Sequence, residues 1–555
     1  MLSFESKPGF LADYLVAGFQ TNQRLGEIGT LVLFLQARAH SAKPEFDDHA
    51  ELHGALGEEV SCEYEGWKFA GKVEGIEFDG ASDDFRLIIR DALSPLSRTY
   101  LSQVFTEQTL EDIVSAVIPS GASLQCCGDI GKRKIALAIQ YQESSLRFLQ
   151  RLVALNGGQL WCYGGEIFVG SEPSAETATV RLGTDFLSYS FGTHLGLEKT
   201  TVDSIAYIDK NRKSSTDVEL PGGSYGKIQD SSTDARSKSE ETANFHIVHE
   251  NASFKDVDGL GEGMLRSGAS GRFTLTGVLR DPVPLGAQLE ISNFDKMGGG
   301  DPARENSIVR AIRGFSPPHT EDVRWQVEVA NPQALLEDTD VVQSRLITST
   351  AIVKETDDSM NRAKVSFPWD PGEAVTPWLR LTTPSWGADH MHYLPPLVGD
   401  TVLVLWGQWD MDPMIVGSVA AGEEVDPPSD KFVFQTVEGH KVTIDGENVK
   451  VVNEANSGGT EVEIKPDCVV VKSKDGHSVE IGSKNIALKH ASGSEVELSD
   501  SKIALMHSGG GSVELESAKI VIKSSGDIEL TGGQGASIKL SGPQVSINNG
   551  ALDVI

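Results

Sequence analysis

Glu461-Val462-Glu463-Ile464, Ser478-Val479-Glu480-Ile481, Glu495-Val496-Glu497-Leu498 and Ser512-Val513-Glu514-Leu515 follow one another at a constant step of 17 residues. A second series keeps the same step between them: Asn485-Ile486-Ala487-Leu488, Lys502-Ile503-Ala504-Leu505 and Lys519-Ile520-Val521-Ile522. A fixed period of this size marks stacked, near-identical units rather than one irregular core. Each quartet alternates polar and apolar residues, which predicts a strand with one wet and one dry face. Val479 and Ile481 point one way and Glu480 the other. Apolar pairs begin at 442, 449, 462, 469, 479, 486, 496, 503, 513, 520, 528, 538, 545 and 552, with gaps mostly of 7 and 10. The gaps carry Asp475-Gly476, Ser508-Gly509-Gly510-Gly511 and Asn548-Asn549-Gly550, the residue types that turns require.

Two apolar residues per strand are about half a core layer. The entropy of ordering such a segment exceeds what one copy gains by burial. Three copies wound about a common axis remove the deficit. Val462, Ile464, Val479, Ile481, Val496, Leu498, Val513 and Leu515 are then the expected trimer core. Strands above and below each strand are expected from neighbouring chains, which leaves few free edges. With 14 such pairs at about 4.8 Å per layer, the rod would be on the order of 70 Å long. The competing arrangement is a single-chain solenoid, which usually has longer coils, side-chain ladders and a cap. Here the alternation runs to Leu552-Asp553-Val554-Ile555, so Leu552, Val554 and Ile555 are expected to meet a tip partner.

Outside the repeat, composition limits the functions available. The chain has 555 residues, room for three or four domains, and 39% hydrophobic content with 57 glycines, in keeping with turn-rich β structure. The formal charge is −32, and three copies would triple it. Phosphate backbones and anionic headgroups are repelled at long range, which argues against nucleic acid as a partner. No run of 18 apolar residues offers a membrane-spanning helix. Residues 1–18 have no continuous apolar stretch or cleavage site, so synthesis in the cytoplasm without a signal peptide is expected. Five cysteines, Cys62, Cys126, Cys127, Cys162 and Cys468, form no CxxC pair and read as reduced structural thiols.

Along the N-terminal half, Leu31–Leu35 is a candidate buried strand. Val60–Tyr64 and Trp67–Val73 bracket Glu65-Gly66 as a hairpin, and Phe85–Arg90 is a further strand. Residues 107–118 are expected to be helical, capped by Thr109 with Asp112 three residues on. Leu110, Ile113, Val114 and Val117 share its apolar face. A second helix is expected over Ser144–Asn156, ended by Gly157-Gly158, and Leu160–Tyr163 and Glu166–Val169 follow as strands. The polar patch 211–243 reads as a mobile loop.

The strongest motifs lie between 351 and 419: Arg362-Ala363-Lys364-Val365-Ser366-Phe367-Pro368-Trp369, Trp378-Leu379-Arg380-Leu381, Leu394-Pro395-Pro396-Leu397-Val398-Gly399-Asp400-Thr401-Val402, and Asp410-Met411-Asp412-Pro413-Met414-Ile415-Val416-Gly417. Their order and spacing resemble the OB-fold of VgrG proteins and contractile phage-tail spikes. Upstream, Arg90-Asp91-Ala92-Leu93-Ser94-Pro95-Leu96 and Tyr141-Gln142-Glu143-Ser144-Ser145-Leu146-Arg147-Phe148-Leu149 resemble the hub of the same family. Asn361 departs from it, standing where glycine is usual. The resemblance implies a mainly β protein: hub-like β-barrel domains with a few helices over 1–345, an OB-fold over 346–425 and a C-terminal intertwined triple-stranded β-helix over 426–555. It further implies a homotrimeric spike of a type VI or other contractile injection system. That spike would join a hexameric inner tube and baseplate to a PAAR-like tip protein and toxin cargo, and enter the target membrane by force. A hub half, roughly 1–340, that forms a six-fold-like ring from three chains is a corollary of that reading, because such hubs carry two similar β-domains per chain.

Trp369, Trp378 and Trp406 read as barrel core or interface anchors. His390-Met391-His392 has an HxH spacing but no third ligand nearby and reads as a solvated loop. Val419 and Phe432 are only 13 residues apart, too close for an inserted enzyme. No phosphate loop or zinc-protease motif occurs. No catalytic residue, metal site or cofactor is therefore expected. A receptor-binding fibre and a cell-wall hydrolase spike are the alternatives.

Overall fold

The computed structural model describes residues 2–4, 9–11, 14–37, 52–79, 84–194, 199–205, 213–219, 224–231, 244–249, 265–266, 273–292, 304–318, 322–333, 346–357, 361–386, 391–392, 394–407, 413–420, 431–453 and 459–548. The chain divides into two compact units, Met1–Ala421 and Gly422–Ile555.

The first unit is organised by a twelve-stranded sheet. Its N-terminal part runs Ser3–Phe4, Glu59–Tyr64, Trp67–Asp79, Asp84–Arg90, Thr30–Ala37 and Tyr14–Arg24. The last of these pairs with Arg304–Ser316, bringing Arg24 opposite Ala311 and Phe19 opposite Ser316. From there the sheet continues through Arg324–Ala330, Thr274–Leu279 and Phe186–Gly192, with a branch through Ala287–Ser292 to Ser174–Arg181. Leu31, Leu33 and Leu35 are buried, as their alternation predicts. The hairpin at Glu65-Gly66 is present, with φ of 47° and 85° at the two turn residues, values that suit the strand twist.

Where the two parts of the sheet meet, Phe19, Trp67 and Trp325 pack together, with Trp67 and Trp325 centroids 5.2 Å apart. The Trp67 indole N–H donates to Gln23 Oε1 at 2.7 Å. A Cβ on Gly314 would fall 2.4 Å from the Trp325 ring, so only glycine lets the strand pass.

Both expected helices form. One spans Leu110–Val117, and Thr109 and Asp112 make a reciprocal capping box. It starts later than expected, because Glu107 and Gln108 still belong to the strand Tyr100–Thr109. The other spans Ser145–Leu155, where the Arg147 N–H donates to the Ser144 hydroxyl at 3.3 Å. Within the polar patch, Lys213–Glu219 is a strand paired with Lys199–Ile205, and 227–231 is a helical turn. For these stretches the loop expectation is corrected. Polar composition did not prevent main-chain pairing, which needs no apolar side chain.

Ile347–Asp357, Arg362–Ser366, Leu379–Leu381, Met414–Ser418 and Thr401–Trp406 close into a five-stranded barrel. Trp406 fills its core at 1% exposure. Trp369 is partly buried against that core and donates from its indole nitrogen to Ser349 Oγ at 2.8 Å. Trp378 behaves differently and lies beneath cations, with Lys364 Nζ 4.7 Å and Arg362 Cζ 5.5 Å from its ring centre. Asn361 has φ of 54°, which accounts for its place: asparagine is the residue after glycine that best tolerates this region.

The second unit is an antiparallel meander. Eleven strands from Phe432–Gln435 to Ile520–Lys523 pair in chain order, and three more follow between Ile528 and Ile547. Two five-residue strands, a two-residue turn such as Ser483-Lys484 and a five-residue turn such as His490–Ser494 make up the period. In the longer turns the first N–H donates to the fifth carbonyl, as from His490 to Ser494 at 2.8 Å. Gly476, Gly493 and Gly510 occupy the left-handed position, with φ of 86°, 91° and 92°. One expectation is corrected here. Consecutive strands of the same chain are hydrogen-bonded to one another, where sister chains were expected above and below. The turns are short enough to close each hairpin directly.

Candidate assembly surfaces

Every residue expected in the trimer core lies on one face of the meander. Cross-strand pairing builds two apolar rails along it. One is Val462, Val471, Val479, Leu488, Val496, Leu505, Val513 and Ile522. The other is Ile464, Val469, Ile481, Ile486, Leu498, Ile503, Leu515 and Ile520. Directly opposed side chains share a face, so register alone makes the rails continuous. Within one chain this face is open: Ile481 is 51% and Leu488 55% exposed. A continuous apolar stripe of this kind marks an interaction surface.

The reverse face is polar and self-consistent. Its middle row reads Glu463, Val470, Glu480, Ala487, Glu497, Ala504, Glu514 and Val521. Glutamates are never directly opposed, which avoids like-charge contact across strands. Ion pairs run along the flanks: Lys450–Glu461 at 2.6 Å, Lys472–Glu461 at 3.4 Å and Lys502–Glu497 at 3.2 Å. The two lysines beside Glu461 hold its carboxyl below the usual range, the Lys450 hydrogen bond contributing most. Leu552, Val554 and Ile555, the expected tip contacts, lie outside the described residues.

A second surface, within the first unit, was not anticipated from sequence. The strand pair Tyr100–Thr109 and Lys134–Ser144 packs Val104, Leu137 and Ile139 into the same cluster as the barrel core. Tyr141 sits 5.0 Å from Trp369 and 5.7 Å from Trp406. Asp370, buried, accepts from the N–H groups of Val104 at 3.1 Å, Gly372 at 3.4 Å and Ala374 at 2.7 Å. Its carboxylate thus ties the barrel's own turn to the hub strand. Gln142, with φ of 50°, kinks the strand beside Tyr141. The run Phe367-Pro368-Trp369-Asp370 was the available signal, but sequence alone does not say what an aspartate after a barrel strand will bond.

Among the described residues no group of three or more metal-ligating side chains occurs. His390 lies outside the described residues, and Met391–His392 is a short strand paired with Ser385–Trp386. The five cysteines are free thiols, and burial pushes Cys126 up to about 11.

Three family models match successive parts of the chain: the phage tail baseplate hub over 35–165, the type VI secretion system and phage-baseplate injector OB domain over 349–419, and the phage baseplate V C-terminal trimerisation domain over 507–553. This is the domain set of a contractile-tail hub–spike protein. No curated protein sequence matches the chain. Among solved structures, a chain of the Francisella PdpA–VgrG complex has TM-score 0.50 at 9% identity, covering 88% of this chain and 79% of its own. A type VI secretion component of E. coli, described as similar to T4 tail proteins gp27 and gp5, has TM-score 0.49 at 12% identity, covering 76% and 100%. A prophage tail protein of Shewanella oneidensis has TM-score 0.40 at 14% identity, covering 58% and 95%. The likeness to the Francisella protein shows a shared fold. The expected mainly β fold class, with its OB barrel and trimerisation segment, is borne out for this hub–spike chain.

Proposed function

We propose that this hub–spike chain assembles as a homotrimer and serves as the central spike of a contractile injection apparatus. The observation that carries this reading is the pair of apolar rails. They run through the start of the matched trimerisation segment, and they are left open by a single chain. Burying them on a common axis gives a dry, stiff shaft with an ion-paired outer face.

The reading assigns the remaining parts by position in the chain. The hub half would seat against the hexameric inner tube and baseplate. The end of the shaft, including Leu552, Val554 and Ile555, would carry a PAAR-like tip protein with toxin cargo. The spike would be made in the cytoplasm and act as part of a particle that works outside the cell. It would enter the target membrane mechanically, driven by sheath contraction, with no chemical step of its own.

The native mass of the purified chain tests the assembly. A species near three times 59.7 kDa is expected, and a stable monomer would overturn the reading. Peptidoglycan release by the assembled protein tests the absence of catalysis, and measurable turnover would replace this proposal with a hydrolase spike.

A further inference from the structure

Two of the strands at which the hub sheet ends have surfaces built in opposite ways. Among the described residues, Ser174–Arg181 pairs only with Ala287–Ser292, and Phe186–Gly192 only with Thr274–Leu279. Exposed positions along the first include Glu176, Thr177, Thr179 and Arg181. Charge on a free edge discourages further strand pairing. Exposed positions along the second are Leu187, Ser188, Tyr189, Ser190 and Phe191, with neither charge nor proline. Leu187 is 51%, Tyr189 44% and Phe191 47% exposed.

Register shows where two of these rings point. Tyr189 stands opposite Gly277, and Phe191 opposite Leu275. Opposed residues share a face, and Leu275 and Gly277 are buried on the core side. The two aromatic rings therefore extend the core face one strand past the point where the described chain covers it. A long, neutral, aromatic edge is the kind that natural sheets avoid unless something pairs with it.

We propose that Phe186–Gly192 is a seam between copies of this chain. A neighbouring copy covers Leu187, Tyr189 and Phe191 and bonds to the strand's outer N–H and C=O groups. This inference rests on the homotrimer proposed above. Two observations select a sister chain as occupant. The trimerisation segment keeps sister chains within reach at high effective concentration. The chain also carries a formal charge of −32, so a sister carrying the same charge is best met on a neutral edge.

Photo-crosslinking of the full-length chain tests the seam. p-Benzoylphenylalanine replaces Tyr189 in one preparation and Thr177, on the charged edge, in another. Irradiation of the assembled protein is expected to join two chains from position 189 and not from 177. Adding Leu187→Ser and Phe191→Ser, both at exposed positions, should remove most of that product while the native mass stays trimeric. A trimer that yields no interchain product from 189, or as much from 177, overturns the seam and leaves the trimer standing. A chain of monomeric native mass overturns both.

Discussion

In the first unit Trp67, Trp161, Trp325 and Trp406 are all under 2% exposed, whereas in the second the only buried side chains among the described residues are Ala487 and Ala504. Both units are β structure with satisfied ladders, so hydrogen bonding does not distinguish them. Packing does. The hub and barrel enclose aromatic cores within one chain, so most of their stability is expected to come from within that chain. The shaft has two apolar rails and, among the described residues, nothing of its own set against them, so its stability is expected to depend on other copies. Regular strand pairing within a chain therefore says little about whether that chain can stand alone.

The sharpest way to break this contrast is Val496→Asp. In the assembled shaft three unpaired carboxylates would meet on the axis, and an uncompensated buried charge costs several kcal/mol. Loss of the trimer is expected by native mass, with the first unit still folded and losing only what its seam contributes. An unaltered trimer with an unaltered melting profile would mean that the rails face outward.

Much of this was legible because the signal was local or periodic. The 17-residue step gave strand positions in the shaft, and Thr109 with Asp112 marked a helix start that the capping box then supplied. Asn361 was readable as a departure but not as an explanation until its φ showed why glycine or asparagine must stand there. What was not legible depends on contacts far apart in sequence. Tyr141 meets Trp369, and Asp370 meets Val104, across more than 200 residues of chain. The direction of pairing in the shaft was likewise hidden, since a rail of alternating residues looks the same whether its neighbours come from one chain or three. Trp378 carried no sign that cations rather than core would cover it.

Two substitutions sharpen the other side of the comparison, because they should weaken the first unit alone. Tyr141→Ala removes a ring packed against Trp369 and Trp406, and a loss of about 2–4 kcal/mol is expected for such a truncation. Chemical denaturation followed by tryptophan fluorescence measures it. The native mass should stay trimeric, and a fall to monomer would mean that the two units do not fold independently. Asn361→Val puts a β-branched residue at a φ of 54° and should cost about 1–3 kcal/mol, whereas Asn361→Gly should be close to neutral. Equal stability of the two variants would show that the turn relaxes rather than holding its left-handed conformation.

The smallest expected effect belongs to the shaft's outer face. Glu461 lies between Lys450 and Lys472, and its carboxyl is held below the ordinary value in the folded chain. The folded state therefore binds its proton less readily than the unfolded state does. The stability this contributes is present above the unfolded value near 4.5 and is lost as pH falls through the lower folded value. Because the site is partly open to solvent and its lysine partners are exposed, Glu461→Gln should cost only about 0.2–1 kcal/mol at neutral pH, and less as salt rises. The difference between wild type and variant should close on acidification below that window. A cost that instead persisted at acid pH would mean that Glu461 stabilises the shaft through packing of its stem over the neighbouring strands rather than through its charge.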